Sequence, residues 1–548
     1  MSSIDDTQLL PLERNGYGAS VHTPWREPSF DFDTCTIGSA NPPSPSAVLR
    51  EARDRLFDHE PELMALAREI GEIVRTIPVD ALHGQEPHAL IVGGLVRDVV
   101  AGAPTSKDLD LEVYGVSMDS LIDALKTAYG DEKVLVEGES FQAIKLSLEG
   151  QLVDVTIPRR DSKSGVGHKG FVVEGDPSMT LVEAARRRDF TINGFAADPF
   201  TGEIFDPYDG CRDLIHGVLR VIDTDTFGDD PLRVYRGVQF AARMNLSIEP
   251  DTQALMHEMV DSGMLSTLPR SRVTEEMHKL LLKAETPSRG LNIMRELGII
   301  EKHWPELHGL IGVPQDPEWH PEGDVWTHTL LVVDAARRLV AMSPTSCITE
   351  QEVQEVMWAA LAHDLGKRET TAFTEGRYRA HGHEAAGVEP AAQLLERIEL
   401  HSASKRFVLS CVERHLSPSV LFHAYEKGAL AEKGYANAVR KLLRDVGEEK
   451  IDLFLVVCEA DHRGRTTASA TEPVFRPAEA FRQIAQDYCC AVEARQLLIT
   501  GKDLLELGLE PGKLFGQLQR QVEQARDDGL VTTKDEALTL VANLLTER

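Results

Sequence analysis

Two hydrophobic periods divide the chain, an early region of mixed pattern and a long helical one. Between about residues 55 and 200, strand-length apolar runs ("HALIVGG", "LDLEVYG", "AIKLSLEG", "LVDVTI") alternate with helical stretches. That order predicts a small α/β or α+β unit. Within it, residues 89–92 read as a short buried strand, Gly93-Gly94 as a turn, and 96–101 as a helix. In "DLDLEV" acids alternate with apolar residues, so Asp108 and Asp110 are expected on one face of a half-buried strand. Beyond about residue 225 a helical period runs almost unbroken, as in "LRVYRGVQFAARM" and "VTEEMHKLLLKA". A stretch containing Pro and Gly near 310–324 divides it. The expected organisation is a flexible extension over 1–55, a mixed head over 56–200, a helical neck and body over 201–312, a second helical unit over 313–480, and a helical tail over 481–548.

A chain of 548 residues is too long for a single core, consistent with that division. The formal net charge of −30 argues against a protein that coats nucleic acid nonspecifically. A local basic groove is still compatible with it, because Arg159, Arg160, Lys163, Lys169 and Arg186 to Arg188 concentrate in one region. No apolar run reaches the length of a membrane span, and the start lacks the pattern of a signal peptide. The seven cysteines form no CxxC pair. A reducing, cytoplasmic setting is therefore expected.

Two carboxylates on a strand rim can jointly hold divalent cations, and a glycine turn opening a helix can receive phosphate. Metal-assisted chemistry on a nucleoside triphosphate is the reading these residues favour. The spacing of "GG", thirteen residues, then "DLD" resembles the signature of the nucleotidyltransferase superfamily that includes DNA polymerase β-type enzymes. "RRRDFTINGF" at 186–195 and "DDPLRVYRGVQFAAR" at 229–243 look like the RRDxxxN and EDxxR motifs of class II CCA-adding enzymes. Those are tRNA nucleotidyltransferases, related to bacterial poly(A) polymerases. "KSGVGHKGF", "DPYDGCRDL" and "GVPQDPEWHPEGDVWTHT" resemble the bacterial branch that carries an HD domain. The likeness spans roughly residues 85–480. It implies an α+β fold: a polymerase-β-like head with a small mixed sheet, an all-helical neck and body, an all-α HD domain and a helical tail.

The resemblance also assigns roles. Asp108 and Asp110 would hold Mg²⁺ for attack by an RNA 3′-hydroxyl on CTP or ATP, with Asp154 of "LVDVTI" either a third carboxylate or an edge-strand acid. Gly94 would let the backbone approach the phosphates, and Arg97 and Arg188 would contact the nucleotide. Asp230 and Arg233 would read the base, with Arg236 continuing the same helix face. Cytosine and adenine each offer an amino group beside an unprotonated ring nitrogen, which suits a carboxylate beside a guanidinium. Uracil and guanine present a carbonyl and a ring N–H there, leaving both contacts unpaired. Asn193 and Asp189 would brace the site. One departure is Asp229, where the motif has Glu.

A second cluster comprises His328, His363, Asp364, His383, His415 and Asp461, each flanked by apolar residues. Imidazoles and carboxylates in these contexts suit a divalent transition metal, and they resemble the HD phosphohydrolase domain. In HD-bearing relatives that domain resembles a phosphatase and 2′,3′-cyclic phosphodiesterase; the alternative is a metal-stabilised structural domain. His320 and His381 stay unassigned.

The favoured reading is addition of CMP and AMP to the 3′ end of tRNA. No DNA partner and no membrane are expected. CC-adding, A-adding and poly(A)-adding relatives share the motifs. The long glycine-containing connection over 158–177 resembles a mobile loop that would let one site switch from C to A. Readings of another class are a regulatory nucleotidyltransferase joined to an HD domain, which would want βαββαβ sensing modules at the C-terminus, and an HD hydrolase with an inert head. For RNA, Arg270, Arg272, Lys279, Lys283, Lys405 and Arg406 are candidate backbone contacts.

Overall fold

The alternating segments form one seven-stranded mixed sheet in the order β3-β4-β5-β2-β1-β8-β9. Its strands are β1 (His88–Val92), β2 (Leu109–Tyr114), β3 (Val134–Glu137), β4 (Ala143–Leu148), β5 (Gln151–Thr156), β8 (Ala196–Ala197) and β9 (Ile204–Phe205); β6 (Arg159–Lys163) and β7 (Phe171–Gly175) lie outside it. The computed structural model describes residues 42–79, 84–104, 108–137, 143–148, 150–163, 171–342, 348–493, 497–527 and 530–546. β2 runs antiparallel to β1 and parallel to β5. One face of the sheet packs Ile91, Leu111, Val113 and Val155 with residues of the helices Pro45–His59, Pro61–Thr76, Gly94–Ala101 and Met118–Tyr129. The period of two sends Leu90, Val92 and Tyr114 to the opposite face, where they cluster with Ala184 and Ala196. β1 is buried on both faces, which is why its sequence is a continuous apolar run.

Within the extension expected to be flexible over 1–55, residues 45–55 are helical instead. Pro45–His59 is a helix capped by the Ser44 side chain, and Ala52 and Leu56, one turn apart, are fully buried in the head core. Residues 1–41 lie outside the described residues. At its other end the head reaches past 200, since Cys211 of the helix Gly210–Ile215 belongs to the same core. The connection over 158–177 is not a simple loop: β6 and β7 pair antiparallel, from Arg159 opposite Gly175 to Lys163 opposite Phe171. The run Phe171-Val172-Val173 favours strand, a preference the neighbouring glycines obscure in the sequence. Residues 164–170, including Lys169 outright, lie outside the described residues.

From Phe190 to Ala485 one continuous hydrophobic core joins neck and HD-like helices, so the boundary expected at 312/313 divides elements that share an interior. Trp304 stacks on Trp358 at 6.1 Å between ring centroids, and its indole N–H donates to the Tyr235 hydroxyl at 3.3 Å. Among its described residues the second helical unit carries a two-stranded hairpin, Ala372–Thr374 with Arg377–Arg379. Among the described residues the tail contains helices Arg476–Glu493, Gly501–Glu506, Lys513–Asp527 and Lys534–Thr546 and no strand. No helix of the described residues is long and apolar enough to cross a membrane.

Candidate active sites

The rim of β2 and β5 brings carboxylates together. Asp110 lies opposite Asp154 in the parallel register, so both project from the same face. β5 is flanked by β4 and β2, which disposes of the edge-strand reading of Asp154. Asp108 sits just ahead of β2 and is exposed. Burial pushes the Asp110 carboxyl up to about 6, the charges of Asp154 and Asp108 push in the same direction, and Arg188 opposes them. Three neighbouring acids, the middle one half-buried and repelled by the other two, are a donor set that a hard divalent cation would neutralise.

Opposite this rim stands Gly93, at φ +77°, where a Cβ would lie 2.3 Å from Asp110 Oδ2. Gly94 has no such constraint; its Cβ would meet only the Arg97 guanidinium, at 3.4 Å. The first glycine is thus the one that closes the backbone over the acids, and the doubled "GG" was the available signal. Gly93→Ala is expected to weaken divalent-cation binding measured by titration calorimetry. It should also cost about 1–3 kcal/mol of stability in urea, from left-handed strain and the clash.

Behind the acids a polar chain ties head to neck. Arg97 is buried and donates to Asp98 Oδ1 at 2.8 Å and to Asn193 Oδ1 at 2.9 Å. Asn193 donates to Asp189 Oδ1 at 2.8 Å, and Arg236 donates to Asp189 Oδ2 at 2.6 Å. Burial works against charge on Asp189, but Arg236 and Asn193 outweigh it and hold the carboxyl below its usual range. Arg97 thus braces Asp98 and Asn193, and Arg236 is engaged in the same chain. Arg188 lies nearer the acids: it donates to Glu112 Oε2 at 3.0 Å and to the Phe195 carbonyl at 2.9 Å.

Asp230 and Arg233 do not share a helix face as expected. The helix spans Leu232–Arg243, and Asp230 precedes it, its Oδ1 accepting from the Leu232 N–H at 3.1 Å. Pro231 accounts for this, since the residue before proline is biased away from the helical conformation. Arg233 donates to the carbonyls of Thr226, at 2.8 Å, and Arg187, at 2.5 Å. Arg272, a candidate RNA contact by sequence, instead closes a guanidinium fork on Asp230, at 3.2 and 2.7 Å. Arg270, Lys279 and Lys405 are likewise bonded within the chain, to the Glu396 carbonyl, to Glu275 and Glu276, and to Glu396 respectively.

All six residues of the second cluster converge in a buried centre. His328, His363 and Asp461 form one three-ligand group, and Asp364, His383 and His415 another. Three of the imidazoles sit at helix ends with Nδ1 on the carbonyl three residues earlier: His363 on Ala360, His383 on Ala380 and His415 on Val412, at 2.8, 2.8 and 2.9 Å. His328 Nδ1 meets Glu322 Oε1 at 2.8 Å. Because these partners only accept, each Nδ1 carries a proton, and Nε2 is the atom each ring turns inward. Burial and neighbouring His363 push His415 down to about 3, and burial lowers His383, so both rings are neutral. Their Nε2 atoms then face each other at 3.3 Å as two lone pairs. His363 Nε2 and both Asp364 oxygens are buried with no well-directed hydrogen bond, although Oδ2 lies 3.1 Å from His363 Nε2 and 2.7 Å from the Lys367 ammonium. Converging imidazoles and buried carboxylates fit one or two divalent metals.

Sequence reasoning missed several residues of this centre. Glu322 orients His328 and also accepts from His320 Nδ1 at 2.8 Å. Lys367 approaches Asp364 Oδ2 at 2.7 Å. A Cβ on Gly366 would lie 2.0 Å from the His383 carbonyl, so this glycine lets the two ligand-bearing segments touch. "HDLGK" and "HPEGD" carried these residues, but only the fold shows which of their side chains turn inward.

Three family descriptions match the chain: the poly A polymerase head domain over residues 89–220, a probable RNA and SrmB-binding site of polymerase A over 245–310, and the HD domain over 325–463. A multifunctional CCA protein of Xanthomonas campestris is 35% identical over 421 residues, covering 76% of this chain and 94% of the relative. Among solved structures, the CCA-adding enzyme of Bacillus stearothermophilus in complex with CTP superposes with a TM-score of 0.56 at 21% identity, over 88% of this chain and 98% of that one. The Thermotoga maritima CCA-adding enzyme complexed with tRNA gives a TM-score of 0.50 at 19% identity, over 92% and 99%. At such identities these two likenesses speak for the fold.

Proposed function

This chain belongs to the multifunctional CCA protein family, and from that membership we propose that it is a tRNA nucleotidyltransferase building the 3′-CCA end from CTP and ATP, joined to an HD phosphohydrolase. The observation that carries the first activity is the register of Asp110 beside Asp154 on the rim that Gly93 faces. Asp108, Asp110 and Asp154 would hold Mg²⁺, which lowers the pKa of an attacking 3′-hydroxyl and offsets charge on the triphosphate. The other residues supply position, the main requirement in phosphoryl transfer. Gly93 keeps the backbone close enough for phosphates to lie against the acids. Arg188 sets a positive charge beside Asp110, and the Arg97–Asn193–Asp189–Arg236 chain fixes the helix Leu232–Arg243 against the head. Asp230 and Arg233 read the base edge, with the carboxylate oriented by the Arg272 fork. The Thr226 and Arg187 carbonyls hold two of the five Arg233 N–H groups, which fixes the guanidinium and leaves others for a ring nitrogen.

At the HD centre, His328, His363 and Asp461, with Asp364, His383 and His415, would hold a divalent transition metal, which supplies hydroxide for attack on phosphorus. Lys367 and Arg465, paired to Asp364 and Asp461, are cations available to the phosphoryl oxygens. Trimming of phosphorylated or cyclised RNA ends before addition is the reaction this suits.

The test of the transferase reading uses Mg²⁺, a tRNA transcript ending before its CCA, and labelled nucleotides given singly and together. Two C and one A, then arrest, is the expected product. Only C, only A, or a long A tail would move the assignment to the matching relative. No incorporation at any RNA end would overturn it.

A further inference from the structure

Above the HD centre lies a cavity of about 320 Å³, floored by Asp364, His383, His415 and Asp461. We propose that its mouth is a lip for the terminal nucleotide of a single-stranded RNA, with the base against Trp319 and Tyr378 and the phosphate directed inward. The proposal rests on the phosphohydrolase reading of the centre and adds how substrate is selected.

Trp319 is 54% exposed, whereas Trp304, Trp326 and Trp358 are buried. An exposed indole at the edge of a charged cavity is not explained by packing. Across the mouth, the hairpin Ala372–Thr374/Arg377–Arg379 pairs Phe373 with Tyr378, rings edge-on at 5.1 Å, both exposed. Lys367, Arg377, Arg379 and Arg465 also line the cavity, four cations gathered on a chain of net charge −30. Aromatic platforms interleaved with cations are how proteins hold unpaired nucleotides, since every base has a face to stack and every linkage a charge. The volume is near the low end of the ~300–1,000 Å³ of small-ligand sites, which suits one nucleotide and excludes a duplex.

Both walls are tied to the metal ligands. On one side, His320, next to Trp319, shares the Glu322 carboxylate with His328. On the other, the hairpin runs from Arg379 into Ala380, whose carbonyl accepts from His383 Nδ1. Arg377 spans the gap, its guanidinium 3.8 Å from Asp316 on the Trp319 side. A base stacked on this lip is thereby held at a set distance from the centre that meets its phosphate. Nothing comparable would position a phosphoester that lacks a base.

The experiment uses the full-length metal-loaded protein, with adenosine 2′-phosphorothioate as a slowly hydrolysed probe. Binding is expected to quench tryptophan fluorescence, and Trp319→Leu is expected to remove that quench. In steady-state assays the ratio of KM for adenosine 2′-monophosphate to KM for glycerol 2-phosphate should rise about tenfold in Trp319→Leu, a size within the range of one base–aromatic stack. Tyr378→Leu should move the ratio in the same direction. An unchanged ratio together with a quench that survives Trp319→Leu would overturn the lip. If neither phosphoester is hydrolysed while a Trp319-dependent quench persists, the lip stands and the hydrolase reading fails.

Discussion

Asp110→Asn is expected to abolish nucleotide addition and, at the same time, to make the metal-free protein harder to unfold. Catalysis first. Phosphoryl transfer depends on positioning and charge neutralisation, and Asp110 is the middle carboxylate of the proposed cation site. Its loss should exceed the ~10²–10³-fold typical of one lost preorganised electrostatic contact. Stability follows the opposite sign. Burial and the charges of Asp154 and Asp108 raise the folded-state pKa of Asp110 to about 6 from a reference of 3.8. The folded state therefore binds more protons than the unfolded one between those values, and stability declines as pH rises through that window. Above it the full cost is present, on the order of 1–3 kcal/mol, and asparagine removes it. Urea titrations of chelated protein should show the variant more stable at pH 8 and the difference vanishing near pH 4. Added Mg²⁺ should stabilise the parent but not the variant. A variant that is less stable at pH 8 without metal would mean the three acids do not repel as described.

The second large effect is at the HD centre. Asp364→Asn is nearly isosteric, yet Asp364 approaches His363, His383 and His328 at 3.1, 3.4 and 3.6 Å. Removing its charge should cost phosphoesterase activity more than the ~10–100-fold lost when an outer partner of a metal ligand is deleted. Nucleotide addition should stay near the parent rate, because the rim acids lie on the separate core of the head. Chelation is expected to lower the melting temperature of the parent more than that of the variant. Without a cation, the lone pairs of His383 and His415 oppose each other at 3.3 Å, and Lys367, 2.7 Å from Oδ2, is left to balance the buried Asp364 carboxylate. Equal melting shifts in both proteins would show that Asp364 contributes nothing to metal binding.

The two regions of the molecule share more than their order in the chain. Because neck and HD helices enclose one core, with Tyr235, Trp304 and Trp358 in contact, a lesion that unfolds the HD centre would also loosen the helix that follows Asp230. This is why isosteric variants, rather than deletions, separate the two activities.

How far the sequence reached depended on the range of the interaction. Period-two and period-3.6 patterns are local, so the strands, the helical second half and the rim acids were legible from spacing. So were the His and Asp residues of the second centre, because each sits in a short motif of its own. What was illegible involved partners distant in the chain or competing local signals. Ala52 and Leu56 follow a Pro- and Ser-rich segment whose composition reads as flexible, and only the head core reveals their burial. Arg97 and Arg272 carry charges that suit phosphate as well as protein. Their assignment to Asn193 and Asp230 needs the approach of residues 96 and 42 positions away. Which glycine of the pair is constrained depends on where Asp110 arrives across the sheet. Residue type and spacing thus determined the chemistry this protein has available. Tertiary structure decided which of those groups are turned toward one another and which are spent as braces, since a side chain's role is set by its neighbours in space.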